Sequence, residues 1–200
     1  LEFRRVLFRS SQRDMWQDIC RSVEHALGDR TIRSEIALET APAPAKLATH
    51  TSAILADVDV DGQEVGSGRL VILYEPDFQT TWDGHIRCVA FVRAELEQNM
   101  VTDPLLLEVG WSWTTDALTN RGATPIAISG TVSRNGSQSF GDLSDRRMEG
   151  SIEIRVSWTI PNGDDVAPHV LAWCDMLAHV AGLPTLTDGV VSITRQLGRL

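Results

Sequence analysis

Between Ser151 and Ile160 the chain reads SIEIRVSWTI, and Ile152, Ile154, Val156, Trp158 and Ile160 alternate without a break with Ser151, Glu153, Arg155, Ser157 and Thr159. Successive side chains of a strand point to opposite faces, so this pattern requires a strand with one apolar and one polar side. On a helix the same five apolar residues would fall on two opposite sides and form no single apolar face. The chain is therefore committed to a sheet with one face in a core and the other toward water, and something apolar must cover the first.

The covering elements are legible on either side of that strand. From Gln12 to Leu27 the residues Met15, Trp16, Ile19, Cys20, Val23 and Leu27 recur at helical spacing, with Gly28 as a stop. Asp103-Pro104 supplies an N-cap and first-turn proline for a helix running to Arg121 and ending at Gly122. A third helix is framed by Asp165, Pro168, Gly182 and Pro184, and Val166, Val170, Trp173, Leu177 and Val180 form its core face. Further strands are expected near Glu35 to Glu39, Ala53 to Asp61, Gly68 to Glu75, His85 to Arg93 and Ile126 to Val132. Asp61-Gly62 marks a hairpin with a loop of several residues, and a Gly-, Ser- and Asp-rich connection spans Asn135 to Asp145. The order is helix, strands, helix, two strands, helix. The expected fold is α+β, a two-layer arrangement with a mainly antiparallel sheet of about six strands and three helices packed on one face.

Two hundred residues suit one such domain, and 42% hydrophobic against 22% charged residues is ordinary globular composition. The stretch LEFRRVLFRS, Leu1 to Ser10, reads as an adapter-derived, non-native segment, which leaves a single domain over 11–200. The whole chain carries 18 basic and 27 acidic residues; without Glu2, Arg4, Arg5 and Arg9 the balance is 15 against 26, a net charge of −11. That balance repels phosphate backbones, so direct nucleic-acid binding is not expected. Cys20, Cys88 and Cys174 are odd in number and lie within apolar stretches, as buried thiols of a reducing compartment do. No apolar run approaches a membrane span, and the expected location is cytoplasmic.

Several stretches carry a resemblance: WDG at Trp82 to Gly84, VRAELE at Val92 to Glu97, DPLLLEVGWSW at Asp103 to Trp113, SGTVSR at Ser129 to Arg134, IEIRVSW at Ile152 to Trp158 and AWCDMLAHVAGLP at Ala172 to Pro184. Together, over about Asp14 to Ile193, they resemble the actinobacterial family of uncharacterised proteins called domain of unknown function 3000. The resemblance implies a cytoplasmic protein of high-GC Gram-positive bacteria, with no catalytic residues to carry over. It also associates the chain with a neighbouring ribonuclease-D-like exonuclease gene.

Motifs for chemistry are sparse. DVDVDG, Asp57 to Gly62, opens like an EF-hand loop, but its twelfth position is Gly68 where a bidentate glutamate is required. His25, His50, His85, His169 and His179 lack metal-ligand spacing, and neither metal nor cofactor is expected. Asp175 and His179 can pair at i, i+4 on the last helix. Gly66-Ser67-Gly68 is no nucleophile elbow, and Lys46 is the only lysine. Arg69, Arg87, Arg93, Arg134 and Arg155 lie on or beside strands, where they either converge on one face or pair with Glu75, Glu95 and Glu153 across strands.

The leading expectation is a non-catalytic binding or interaction domain, with a protein partner or a second copy of the chain as its ligand. Its element order is similar to that of secretion-chaperone-like domains, homodimers that grip peptides, apart from the extra strand at Glu35 to Glu39. The alternative is an enzyme or accessory subunit with a dispersed carboxylate and arginine site at Asp83, Arg134 and Asp142; a weaker one is an accessory of RNA turnover. Partner-contact candidates are Trp111, Trp82, Asp83, Arg134 and Asp142. On the central helix Trp113 is expected in the core and Trp111 at the edge of the apolar arc.

Overall fold

The computed structural model describes residues 2–44, 46–146 and 148–184, with side chains from Met15 onward. Its elements are α1 (Glu2–Leu27), β1 (Ile36–Ala41), β2 (His50–Val60), β3 (Gln63–Gln79), β4 (Gly84–Leu96), a single turn α2 (Gln98–Val101), α3 (Leu106–Asn120), β5 (Ile126–Ser137), a 3-10 turn (Gly141–Leu143), β6 (Glu149–Ile160) and α4 (Ala167–Val180). The α+β class and element order match the sequence expectation. The side chains of the segment read as an adapter lie outside the described residues, and the backbone of α1 is helical from Glu2.

The six strands form one sheet in the order β1-β2-β3-β4-β6-β5. Every pairing is antiparallel. The β2–β3 hairpin is tighter than expected. Val60 pairs with Gln63, and Asp61 and Gly62 at φ 54° and 81° form a two-residue turn in which the Gly62 N–H donates to Asp59 Oδ1 at 2.8 Å. A turn with both φ positive matches the strand twist, so the ladder continues right up to it. The same geometry makes DVDVDG a strand end. β5 also outruns its expectation, reaching Ser137 through residues assigned to a loop, because Asn135, Gly136 and Ser137 pair with Ser151, Gly150 and Glu149.

One face of the sheet carries the core. Directly opposed residues give continuous apolar rows: Ile54, Leu70, Ala90 and Val156 form one, and Ile72, Cys88 and Trp158 another. All seven are at most 3% exposed. The face is closed by α1, α3 and α4, with Ile19, Val23, Leu106, Val170, Trp173 and Leu177 buried against it. Gly68 is needed beneath α4, since a Cβ there would lie 3.0 Å from Trp173 Cζ2. Burial pushes the Cys174 thiol up to about 12 and that of Cys88 higher still, so neither is a nucleophile at neutral pH. Cys20 is only half-buried.

Two details of the helices differ from expectation. Asp103 Oδ1 accepts from the Leu105 N–H at 2.9 Å, but the helix proper starts only at Leu106. Asp175 pairs with Arg121 rather than with His179: the guanidinium grips both carboxylate oxygens, at 2.5 and 2.7 Å, and joins the end of α3 to α4. A bidentate arginine geometry on a neighbouring helix outcompetes a single imidazole contact along one helix.

Candidate functional site

Among the described residues the second face of the sheet bears no helix, and its rows can be read from the same register. Thr131, Arg155, Phe91, Arg69, Leu55 and Glu39 form one cross-strand row; Ser129, Ser157, Val89, Val71, Ala53 and Ala41 form the next. At one end this face is covered. Trp82, in the β3–β4 turn, and Ala43 and Ala48, in the β1–β2 connection, pack with Ala53, Val71 and Leu73 into a small second core. Thr159 is completely buried there, its hydroxyl donating to the Trp82 carbonyl. This corrects the expectation that the polar side of β6 is wet along its whole length.

Beyond that cover the face lies open as a shallow depression of about 530 Å³. Its floor is Val71, Val89 and Phe91, and its rim is set by Arg69, Arg155, Ser157 and the β5 residues Ser129 and Thr131. Val89 is 42% exposed, which is high for a central strand. The cause is in the sequence: β4 reads Cys88-Val89-Ala90-Phe91-Val92, apolar on both faces, and among the described residues helices cover only one of them. That run is the sequence signal for the site, and it is ambiguous because an unbroken apolar run reads equally well as a strand buried on both sides.

Four of the five strand arginines, Arg69, Arg87, Arg93 and Arg155, fall on this open face; Arg134 lies opposite Ile152 on the helical side. Their partners differ. Arg87 is held by the Ala127 carbonyl at 2.8 Å and by the hydroxyls of Thr159 and Ser157 at 3.0 and 2.7 Å. Arg155 contacts Glu153 at 2.7 Å and lies 5.2 Å from the Phe91 ring centre, a cation–π arrangement. Arg69 Nε is out of solvent without an acceptor among the described residues. The cross-strand pairing expected with Glu75 does not form, since that carboxylate accepts from the Thr49 N–H and hydroxyl.

The remaining candidates do not form a joint site. Asp83 sits exposed in the β3–β4 turn at φ 60°, near the Ile160 end of β6, whereas Arg134 faces Ile152. Eight residues of strand, about 26 Å, separate those ends. Arg134 instead donates to the Asp103 carbonyl and ties β5 to the start of α3. Asp142 is exposed in the 3-10 turn of the β5–β6 connection. Trp111 is half-buried, with its ring over Gly130 of β5: a Cβ on that glycine would lie 3.1 Å from Trp111 Cζ3. Trp113 is half-buried as well, not fully in the core, because the buried arc of α3 runs through Leu106, Gly110, Thr114, Ala117 and Leu118. Among the described residues no three His, Cys, Asp or Glu side chains gather around a common point, and no helix is long and apolar enough to cross a membrane.

No curated protein and no solved structure matches the chain. The profile of the family described as "Protein of unknown function (DUF3000)" matches residues 6–191, and the chain belongs to that family.

Proposed function

We propose that this family member is a non-catalytic binding domain whose ligand lies on the open face of its sheet, as an extended segment with acidic and apolar side chains in alternation. The observation that carries the reading is the depression itself, an apolar floor of Val71, Val89 and Phe91 rimmed by Arg69 and Arg155 in a protein of net charge −9. Among the described residues Arg69 and Arg155 are the only charged ones lining the depression, so an anionic partner is favoured at that spot. An aromatic floor beneath a guanidinium adds apolar contact at low entropic cost. Serine and threonine hydroxyls at Ser129, Thr131 and Ser157 complete a wet rim, as binding surfaces have.

The test uses fluorescence anisotropy with labelled dodecamers in which glutamate alternates with leucine or valine, alongside lysine-for-glutamate controls. The acidic peptides should bind, bind more weakly as salt rises, and lose about tenfold or more in affinity on Arg69→Ala with Arg155→Ala, as paired charges at a contact do. Equal binding of the lysine controls, or indifference to the double substitution, would overturn the reading.

A further inference from the structure

The open face ends at β5, and β5 itself is unfinished. Among the described residues it is the last strand of the sheet, and one of its two edges has no described strand beside it. After the irregularity between Ile126 and Ser129 its ladder to β6 is regular to Ser137, which leaves nine residues of extended backbone with a free row of N–H and C=O groups. The usual protections of such an edge are absent. Ser129 to Ser137 contains no proline and no lysine, and its one charge, Arg134, is turned toward the Asp103 carbonyl. The opposite edge, β1, is only six residues long and carries Glu39.

We infer that β5 pairs antiparallel with β5 of a second copy of this chain, about a twofold axis at Val132, to give one continuous sheet across the dimer. Charge and shape both select a second copy and that register. An acidic protein repels itself over most of its surface, but no acidic residue lies on Ser129 to Ser137, so copies of β5 meet without opposing carboxylates. Centred on Val132, the pairing sets Thr131 opposite the second copy's Ser133, two small hydroxyls on the open face. On the helical face it sets Arg134 opposite the second copy's Gly130, the position over which the Trp111 ring lies. No two arginines are opposed in this register, and each Arg134 keeps its bond to its own Asp103 carbonyl. Pairing also continues the open face beyond Ser129 and Thr131, which places two arginine-rimmed hollows side by side along one trough. The pairing stands independently of which ligand that trough takes.

Light scattering on the full chain should give twice the 22.0 kDa of one copy. In the inferred register Thr131→Lys with Ser133→Lys places like charges opposite each other twice, whereas Thr131→Lys with Ser133→Glu places opposite charges there. The first variant should be monomeric and the second dimeric. Residue 133 also faces Glu153 of β6 within one copy, so urea denaturation of both variants establishes that each remains folded before their masses are compared. Hydrogen exchange on the unaltered protein gives the independent check: amides within residues 129–137 should slow as protein concentration rises. A single-copy mass at every concentration, no difference between the two variants, or fast and concentration-independent exchange in that stretch overturns the inference.

Discussion

On β6 a single strand presents two surfaces that have solved different problems. Its even-numbered residues from Ile152 to Ile160 are between 0% and 3% exposed beneath α3 and α4, while on the other side Arg155 is exposed and Glu153 and Ser157 are half-buried. The same division holds on β4, where Cys88, Ala90 and Val92 are buried and Val89 and Phe91 are not fully covered. On the helical side every apolar group has a neighbour, and stability follows from packing. On the open side apolar groups remain in water beside arginines, which stabilises nothing in the free protein and leaves surface for a partner.

The largest effect should come from truncation on the helical side. Ile154→Ala removes a side chain of no exposure from the middle of the core and should cost about 2–5 kcal/mol by urea denaturation. Val89→Ser, on the neighbouring strand but the open face, should stay within about 0.5 kcal/mol. If the two costs are alike, the second face is covered in solution and the contrast collapses.

The buried imidazole of His169 gives the second test. Its Nδ1 accepts from Trp158 Nε1 at 3.0 Å, and burial, partly offset by Asp164 and Asp165, holds it down to about 4. The folded protein therefore resists a proton that the unfolded chain accepts near pH 6.5. Its contribution is complete above that pH and falls as pH drops toward 4, by about 3 kcal/mol in total at 1.4 kcal/mol per unit. Urea midpoints measured from pH 7.5 to 4.5 should show this loss, and His169→Gln should flatten the profile in that window. A flat profile in the unaltered protein would mean that water reaches the helical side.

The open face is not uniform, and Trp82 marks where it changes. Trp82→Ala should cost about 2 kcal/mol, below the range for a fully buried tryptophan, by uncovering Ala53, Val71, Leu73 and Thr159. Hydrogen exchange should rise around Thr159 and stay unchanged around Arg155. Uniform change along β6 would show that Trp82 supports the whole sheet and not one end of it.

How far the sequence reached follows the same division. The core side was legible because it depends on periodicity within single elements: the alternation of β6 and the Val166, Val170, Trp173, Leu177 and Val180 face of α4 all proved buried. The open face depends on registers between strands far apart in sequence. That Arg69, Phe91 and Arg155 share one row follows only from the pairings of β3, β4 and β6, which no local pattern encodes. The burial of Thr159 by Trp82, 77 residues earlier, is illegible for the same reason. Asp83 and Arg134 share only complementary charge in the sequence, and the fold sends them to opposite ends of the sheet.

The smallest effects should be those of Trp111 and Trp113, where helix geometry sets the expectation. Taking Leu106 as origin at about 100° per residue, buried Ala117, Gly110, Thr114 and Leu118 extend to about 120°, with Trp113 near −20° and Trp111 near 140°. The two tryptophans therefore bracket the buried arc, and Gly110 occupies its middle because a Cβ there would already lie 3.0 Å from Ile152 and Val132. Replacing either tryptophan with phenylalanine should cost less than about 1.5 kcal/mol, as similar-volume swaps do. Each replacement should also lower the acrylamide-accessible fraction of fluorescence, whereas Trp158→Phe and Trp173→Phe, at 1% exposure, should raise that fraction by removing only protected emission. A rise in protein concentration should then separate the pair, because the ring of Trp111 alone lies over Gly130 of β5. Its accessibility should fall as second copies join that edge, and that of Trp113 should hold constant. Equal protection of both on concentration would place the contact on the exposed side of α3 and not at the edge strand, while no change in either would leave the sheet ending at β5.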